Sequence, residues 1–242
     1  MAEVLRLEEL SSPRLGEVVS RHPVGLWPLG AVEPHGPHAP LGTDTLIASG
    51  ICERAARRLE DPPCILLPAL HFGVTRFGAS FPGALGVSET TLAAVVRDVA
   101  AAADARGFRR LVIVNCHFEP EQVETLRAVC AEVGVLYLDL VRRRAAERLT
   151  EEFRSGSCHA GRYETSLILA DAPELVDRRR MSELPAVPVD MPAAIAAGAR
   201  DFPSMGMTDA YCGAPAEASA EEGAQTFQIL SDLLVELVLQ HA

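Results

Sequence analysis

The sequence predicts an α/β protein built on a doubly wound, mostly parallel sheet. Short apolar runs alternate with stretches of helical periodicity through the first half of the chain, the pattern of strands joined by crossover helices. Two of the runs, residues 24–32 and 110–115, are apolar almost without a break, as strands buried on both faces are. Each of these two ends abruptly in a histidine and a glutamate two residues apart and leads towards a helix.

Residues 1–23 read as an amphipathic preamble, with Ser11-Ser12-Pro13 a helix start or turn. After the first strand, residues 45–59 carry Leu46, Ile47, Ile51, Ala55 and Leu59 on one helical face, and Asp61-Pro62-Pro63 ends that helix. Residues 64–70 are a second strand. A glycine-rich connection, residues 73–86, follows with the turn signal Phe81-Pro82-Gly83, and connections of that length are usually functional. Ser88 caps the next helix, with Glu89 in its first turn and Gly107 at its end. Beyond the strand at 110–115, Pro120 opens a helix to Gly134, residues 135–141 form another strand, and a charged helix runs to about Phe153. Ser155-Gly156-Ser157 breaks the pattern. Cys158-His159-Ala160-Gly161 then leads into a helix over 162–170 with Glu164 in its first turn. Residues 185–215, rich in Pro, Gly, Met and Ala, read as an irregular excursion over the sheet, and 217–241 as a last long helix.

The length of 242 residues suits one large α/β domain or two small ones. No Ser/Gly linker or charge block divides it, so residues 1–242 are read as a single domain. A net charge of −11 argues against nucleic acid, which needs a basic patch. The basic run Arg142, Arg143 and Arg144 lies between acidic segments and reads as a solvated helix start. Six cysteines without a C-x-x-C pair fit reduced thiols and a cytoplasmic location. The first residues are acidic where a signal peptide is basic, and no apolar run approaches the roughly 20 residues of a membrane span, so no membrane partner is expected.

Pro34 biases Glu33 towards an extended backbone, and residues two apart on an extended chain point the same way. Glu33 and His35 therefore project together from a strand end, with Asp44 arriving at the start of the following helix. Taken alone, Asp44 reads equally well as a helix cap, and His38, between Pro37 and Ala39, as an ordinary loop histidine. The second pair, His117 and Glu119, shifts the balance, because ligands bind outside the carboxyl ends of parallel strands. Glu33, His35, Asp44, His117 and Glu119 suit two adjacent divalent metals sharing a carboxylate and a water. Mixed oxygen and nitrogen donors favour zinc, manganese or iron over copper or calcium. Cys116 reads as a small buried residue at a strand end.

These residues resemble the creatininase family of metal-dependent amidohydrolases. Its first motif is matched by Glu33-Pro-His-Gly-Pro-His38 with Thr43-Asp44, its second by Asn115-Cys-His-Phe-Glu119, and its third by His159-Ala-Gly-Arg-Tyr-Glu-Thr-Ser166. Phe81-Pro-Gly83 and the segment 213–223 also look like family segments, so the resemblance covers roughly residues 20–240. It implies a three-layer sandwich around the parallel sheet, and a homohexamer. It places Glu33 and His117 on one metal, His35 and Glu119 on the other, Asp44 between them, and His159 as the proton-transfer residue. His159 and Glu119 are the candidate catalytic residues, and Glu164 either orients the site from outside or is a ligand in a variant arrangement. Family departures include Cys116 where many relatives have glycine and Pro34 where glutamine is common. The tryptophans that shape the creatinine pocket have no counterpart, since the only tryptophan is Trp27, inside the first strand.

The expectation is a hydrolase acting on a small-molecule non-peptide or cyclic amide, of lactam or formamide type. A metal-bridging hydroxide would attack the carbonyl, and His159 would protonate the leaving nitrogen. One alternative is a peptide-processing metallopeptidase resembling the mycofactocin precursor peptidase, although the glycine-rich sequence that follows the second histidine in its relatives is absent here. A metal-free α/β binding module is the other.

Overall fold

In the computed structural model, which describes residues 3–241, the strands are β1 (Leu5–Arg6), β2 (Val24–Leu29), β3 (Cys64–Leu66), β4 (Arg110–Asn115) and β5 (Leu136–Leu138). They form one sheet in the order β1-β3-β2-β4-β5, parallel at every pairing. The helices are α1 (Ser12–Val19), α2 (Thr43–Ala56), α3 (Glu89–Ala105), α4 (Pro120–Val133), α5 (Arg143–Ala146), α6 (Glu151–Ser155), α7 (Arg162–Asp171), α8 (Arg178–Glu183), α9 (Met191–Ala196) and α10 (Ala220–Gln240).

The central strands β2 and β4 are buried on both faces, which is why their sequences lack polar alternation. Val24, Leu26, Val112 and Val114 pack towards Ile47 and Ile51 of α2, Leu167 of α7, and Phe227 and Leu230 of α10. Trp27, Leu29, Leu111 and Ile113 pack on the opposite side, towards Leu92 and Val96 of α3 and Leu126 and Val129 of α4. Fully burying each such aliphatic side chain stabilises the fold by about 1.5–3 kcal/mol, so the two helix layers hold the sheet from both sides.

Local signals set the helix ends. The hydroxyls of Ser11, Ser88 and Ser219 accept backbone N–H groups at the starts of α1, α3 and α10, and Gly134 in the left-handed region closes α4. The charged helix expected up to Phe153 is instead two, α5 and α6. Thr150 turns extended (ψ 161°) between them, and its hydroxyl accepts the Phe153 N–H. Strand lengths shrink where the chain turns: β2 stops before Gly30, β3 before Leu67, and β5 before Asp139, whose carboxylate pairs with Arg127 and Arg142. Edge strand β1 is too short for any periodicity and had no signal in the sequence. Residues 185–215 contain α9, capped by the Asp190 side chain, and build a small separate cluster of Phe77, Phe202, Met205, Met207 and Cys212. Among the described residues no helix is long and apolar enough to cross a membrane.

Candidate metal centre

The carboxyl end of β2 runs hard against the start of α2. A Cβ on Gly30 would come within 2.5 Å of the Thr45 backbone nitrogen, so glycine permits the approach that sets Glu33 above Asp44. Gly36, at φ +64°, turns the chain back behind His35, and its N–H donates to the Ala210 carbonyl at 2.8 Å.

Glu33, His35, Asp44, His117 and Glu164 are all buried and converge there. His35 Nε2 lies 3.1 Å from Asp44 Oδ1, 3.7 Å from Glu164 Oε2 and 3.9 Å from Glu33 Oε1. His117 Nδ1 lies 3.1 Å from both Glu33 Oε1 and Asp44 Oδ2. The far nitrogen of each ring is held by a main-chain carbonyl: His35 Nδ1 by Glu33 at 3.1 Å and His117 Nε2 by Val74 at 2.8 Å. That arrangement aims the other nitrogen of each ring inwards, as in metal-binding histidines. Three sets of side chains are close enough to share an ion: Glu33–Asp44–His117, His35–Asp44–Glu164 and Glu33–His35–His159.

Burying several carboxylates together is costly unless positive charge meets them. Burial opposes a charged His35 ring, but the Asp44 carboxylate, then Glu164 and Glu33, outweighs it and raises His35 to about 10. Burial likewise opposes a charge on His117, yet Glu33 and Asp44 carry it well above the ordinary histidine range. Burial would raise Glu33 and Asp44, but His117 holds Glu33 low and His35 holds Asp44 low. Glu164 is the exception, pushed up to about 8 by burial despite His35. Asp44 Oδ2 is buried and accepts no hydrogen bond, because the His117 ring is directed at Glu33. An acceptor without a donor among buried acids fits a divalent cation, and Asp44 turns one oxygen towards each histidine.

Glu119 stands differently from its expected ligand position. It precedes the first turn of α4, and its two oxygens accept the backbone N–H groups of Arg76 at 2.8 Å and Phe77 at 3.1 Å. It is 3.9 Å from His117 Nε2, the nitrogen already given to Val74, and joins none of the three sets. The carboxylate beside His35 is instead Glu164, whose Oε2 also accepts the Ala160 N–H at 2.7 Å. The signal in the sequence was its place in the first turn of the helix that follows His159.

His159 stacks between His35 and Phe202, with ring centroids 4.6 and 4.4 Å away. Its Nε2 is bonded to the Pro34 carbonyl at 3.0 Å, and its Nδ1 is 3.7 Å from Glu33 Oε1. Burial, helped by the charge on His35, pushes it down to about 4. His38 is turned away, bonded through Nε2 to the Thr165 hydroxyl at 2.8 Å. Above the acidic floor lies a cavity of ≈ 60 Å³ walled by Phe77, Phe118, Cys158, Met191, Ile195 and Phe202. The Cys116 thiol at its side is pushed well up by burial.

Comparison with known proteins identifies the family. The family profile Creatininase, described as creatinine amidohydrolase, matches residues 8–238. The chain is 30% identical over 234 residues to the mycofactocin precursor peptide peptidase of Mycobacterium ulcerans, covering 93% of this chain and 88% of that protein. It is 31% identical over 181 residues to the creatinine amidohydrolase of Pseudomonas putida, covering 66% of this chain and 68% of that one. A crystal structure of creatinine amidohydrolase superposes with a TM-score of 0.77 at 25% identity, covering 99% of this chain and 98% of the other. With its profile matched almost end to end and its parallel sheet shared, the chain belongs to the creatininase family of hydrolases.

Proposed function

We propose that the protein is a two-metal amidohydrolase that cleaves the C–N bond of a small non-peptide or cyclic amide, of lactam or formamide type. The observation that carries this reading is the buried histidine–carboxylate cluster at the floor of a ≈ 60 Å³ cavity, room for a compact group. Glu33, Asp44 and His117 would hold one divalent ion, and His35, Asp44 and Glu164 the other, with Asp44 shared. Zinc, manganese or iron suits this donor set. When bound, such a centre supplies an acidified water and polarises the amide carbonyl.

The chain's own residues do the rest. His159 is neutral near pH 7 because burial and His35 hold it low, and its Nε2–H is committed to the Pro34 carbonyl. Its Nδ1 is therefore the atom that takes up a proton and passes it to the departing nitrogen. Phe202 keeps the ring in place by stacking on its outer face. Phe77, Met191 and Ile195 exclude water from the amide. Glu119 holds the Arg76–Phe77 backbone, and so the Phe77 wall, rather than a metal.

A second reading, peptide processing, is favoured by the whole-chain likeness to mycofactocin precursor peptide peptidases. A cytoplasmic homo-oligomer, by family resemblance a hexamer, is part of either proposal. The test is a panel of lactams, formamides, creatinine and short peptides offered to metal-reconstituted protein. Turnover restricted to peptides would replace the first reading with the second, and no metal uptake would remove both.

A further inference from the structure

We infer that Gln122 is a positioning residue for the metal centre, acting through a closed ring of hydrogen bonds that fixes which nitrogen His117 presents. The inference rests on the metal reading above. Gln122 lies on α4, fully buried, and is not part of the cavity lining. Its Oε1 accepts the Val74 N–H at 2.6 Å, and its Nε2 donates to Asn115 Oδ1 at 2.8 Å. Asn115 Nδ2 donates to the His117 carbonyl at 2.6 Å, and the His117 ring closes the circuit by giving Nε2–H to the Val74 carbonyl at 2.8 Å.

The polarity of this ring follows from two main-chain groups that cannot reverse. A backbone N–H only donates, so Gln122 must offer its oxygen to Val74. Its nitrogen then faces Asn115, which must answer with oxygen, leaving the Asn115 nitrogen for the His117 carbonyl. A backbone carbonyl only accepts, so the His117 nitrogen facing Val74 must carry hydrogen. Nδ1 is thereby turned to Glu33 and Asp44. The neighbouring loop is built for this contact: a Cβ on Gly73 would fall 2.4 Å from Gln122 Oε1 and 2.6 Å from the Gly30 carbonyl. Next along the loop, the Thr75 hydroxyl donates to Glu33 Oε2 at 2.9 Å, steadying the carboxylate that His117 meets. Every member of the ring is buried, so no bulk water replaces a lost bond, and buried networks of this kind lose more than one contact when one member goes.

The test is zinc titration against a chromophoric chelator for the wild type, Gln122→Leu and Gln122→Glu. Leucine removes both bonds of the ring and the longer one from Nε2 to the Gly30 carbonyl at 3.4 Å; an ionised glutamate still accepts from Val74 but cannot donate to Asn115. Both variants should weaken the zinc position that uses His117 by roughly 10–100-fold, the scale seen when groups orienting a metal-binding histidine are removed. The other position should be unchanged. In zinc-loaded wild type the His117 Nε2–H proton should exchange slowly by NMR, and faster in either variant. Equal weakening of both positions would mean a merely structural role and overturns the inference, as does wild-type affinity and exchange in both variants. Should Gln122→Leu fail to fold, Gln122→Glu decides alone. Zinc uptake by the wild type with unchanged variants removes only the ring, whereas no uptake by the wild type removes the metal reading with it.

Discussion

Glu164 Oε2 stands 3.7 Å from His35 Nε2, whereas both Glu119 oxygens are occupied by the Arg76 and Phe77 backbone. The two glutamates should therefore fail in different ways. Glu164→Gln should weaken one of two metal positions, read by elemental analysis after dialysis. Glu119→Gln should keep both metals and alter substrate KM through the Phe77 wall. The reverse pattern would return Glu119 to the ligand set.

Much of the fold was legible because its signals are local. The uninterrupted apolar runs of β2 and β4 marked the central strands, and Ser88, Gly134 and Pro120 marked helix ends one residue at a time. The two His/Glu pairs pointed to Glu33, His35 and His117, three of the side chains that converge in the buried cluster, for the same reason. What escaped depends on packing across the chain. The Glu119 side chain is set by the start of α4, not by the strand spacing that paired it with His117. Glu164 meets His35 from α7, an element far along the chain, through a contact that no local spacing marks. The carbonyls of Glu33, Pro34 and Val74 that orient the three histidines are backbone atoms, which no residue pattern announces.

Asp44 is the residue the proposed sites have in common, its Oδ1 towards His35 and its Oδ2 towards His117. Asp44→Ala should remove both metals, while Glu164→Gln and Glu33→Gln each spare one. Calorimetric zinc titration measures this, and an Asp44→Ala protein that still binds two equivalents would rule out the shared carboxylate.

Substrate choice should follow the cavity walls. Trp27 is buried within β2 with its Nε1–H donated to the Pro68 carbonyl, and the aromatic walls of the cavity are Phe77, Phe118 and Phe202. Creatinine should turn over at a small fraction of the rate on the best panel substrate. Efficient creatinine hydrolysis would show that tryptophan is not needed for that pocket.

His38, bonded to Thr165, offers a stability test at a residue outside the proposed ligand set. Burial first, then the charges of His35 and His159 against that of Asp177, pushes it down to about 4. A histidine depressed when folded stays neutral while the unfolded chain, with an ordinary pKa near 6.5, takes up a proton. Its stability contribution is thus complete above about pH 6.5 and falls as pH drops towards 4, by at most about 1.4 kcal/mol per pH unit. His38→Gln should flatten this part of the acid limb. Urea melts of both proteins at pH 7 and pH 5 provide the comparison, and an equal drop in the two would assign the acid sensitivity elsewhere.

The last prediction concerns the proton. His159 is held by stacking on both faces and by the Pro34 carbonyl, so its ring is fixed without a metal. It also belongs to a third set, with Glu33 and His35, that could share an ion. The two roles separate in the His159→Ala variant. If His159 moves the proton, the variant should keep both metals and lose roughly 10²–10⁴ in turnover, the usual scale for general acid–base catalysis. The loss should shrink for amides whose leaving amine is weakly basic, because that nitrogen departs with less help. Loss of a metal equivalent would make His159 a ligand instead. Full activity on every substrate would leave it a packing residue beneath Phe202.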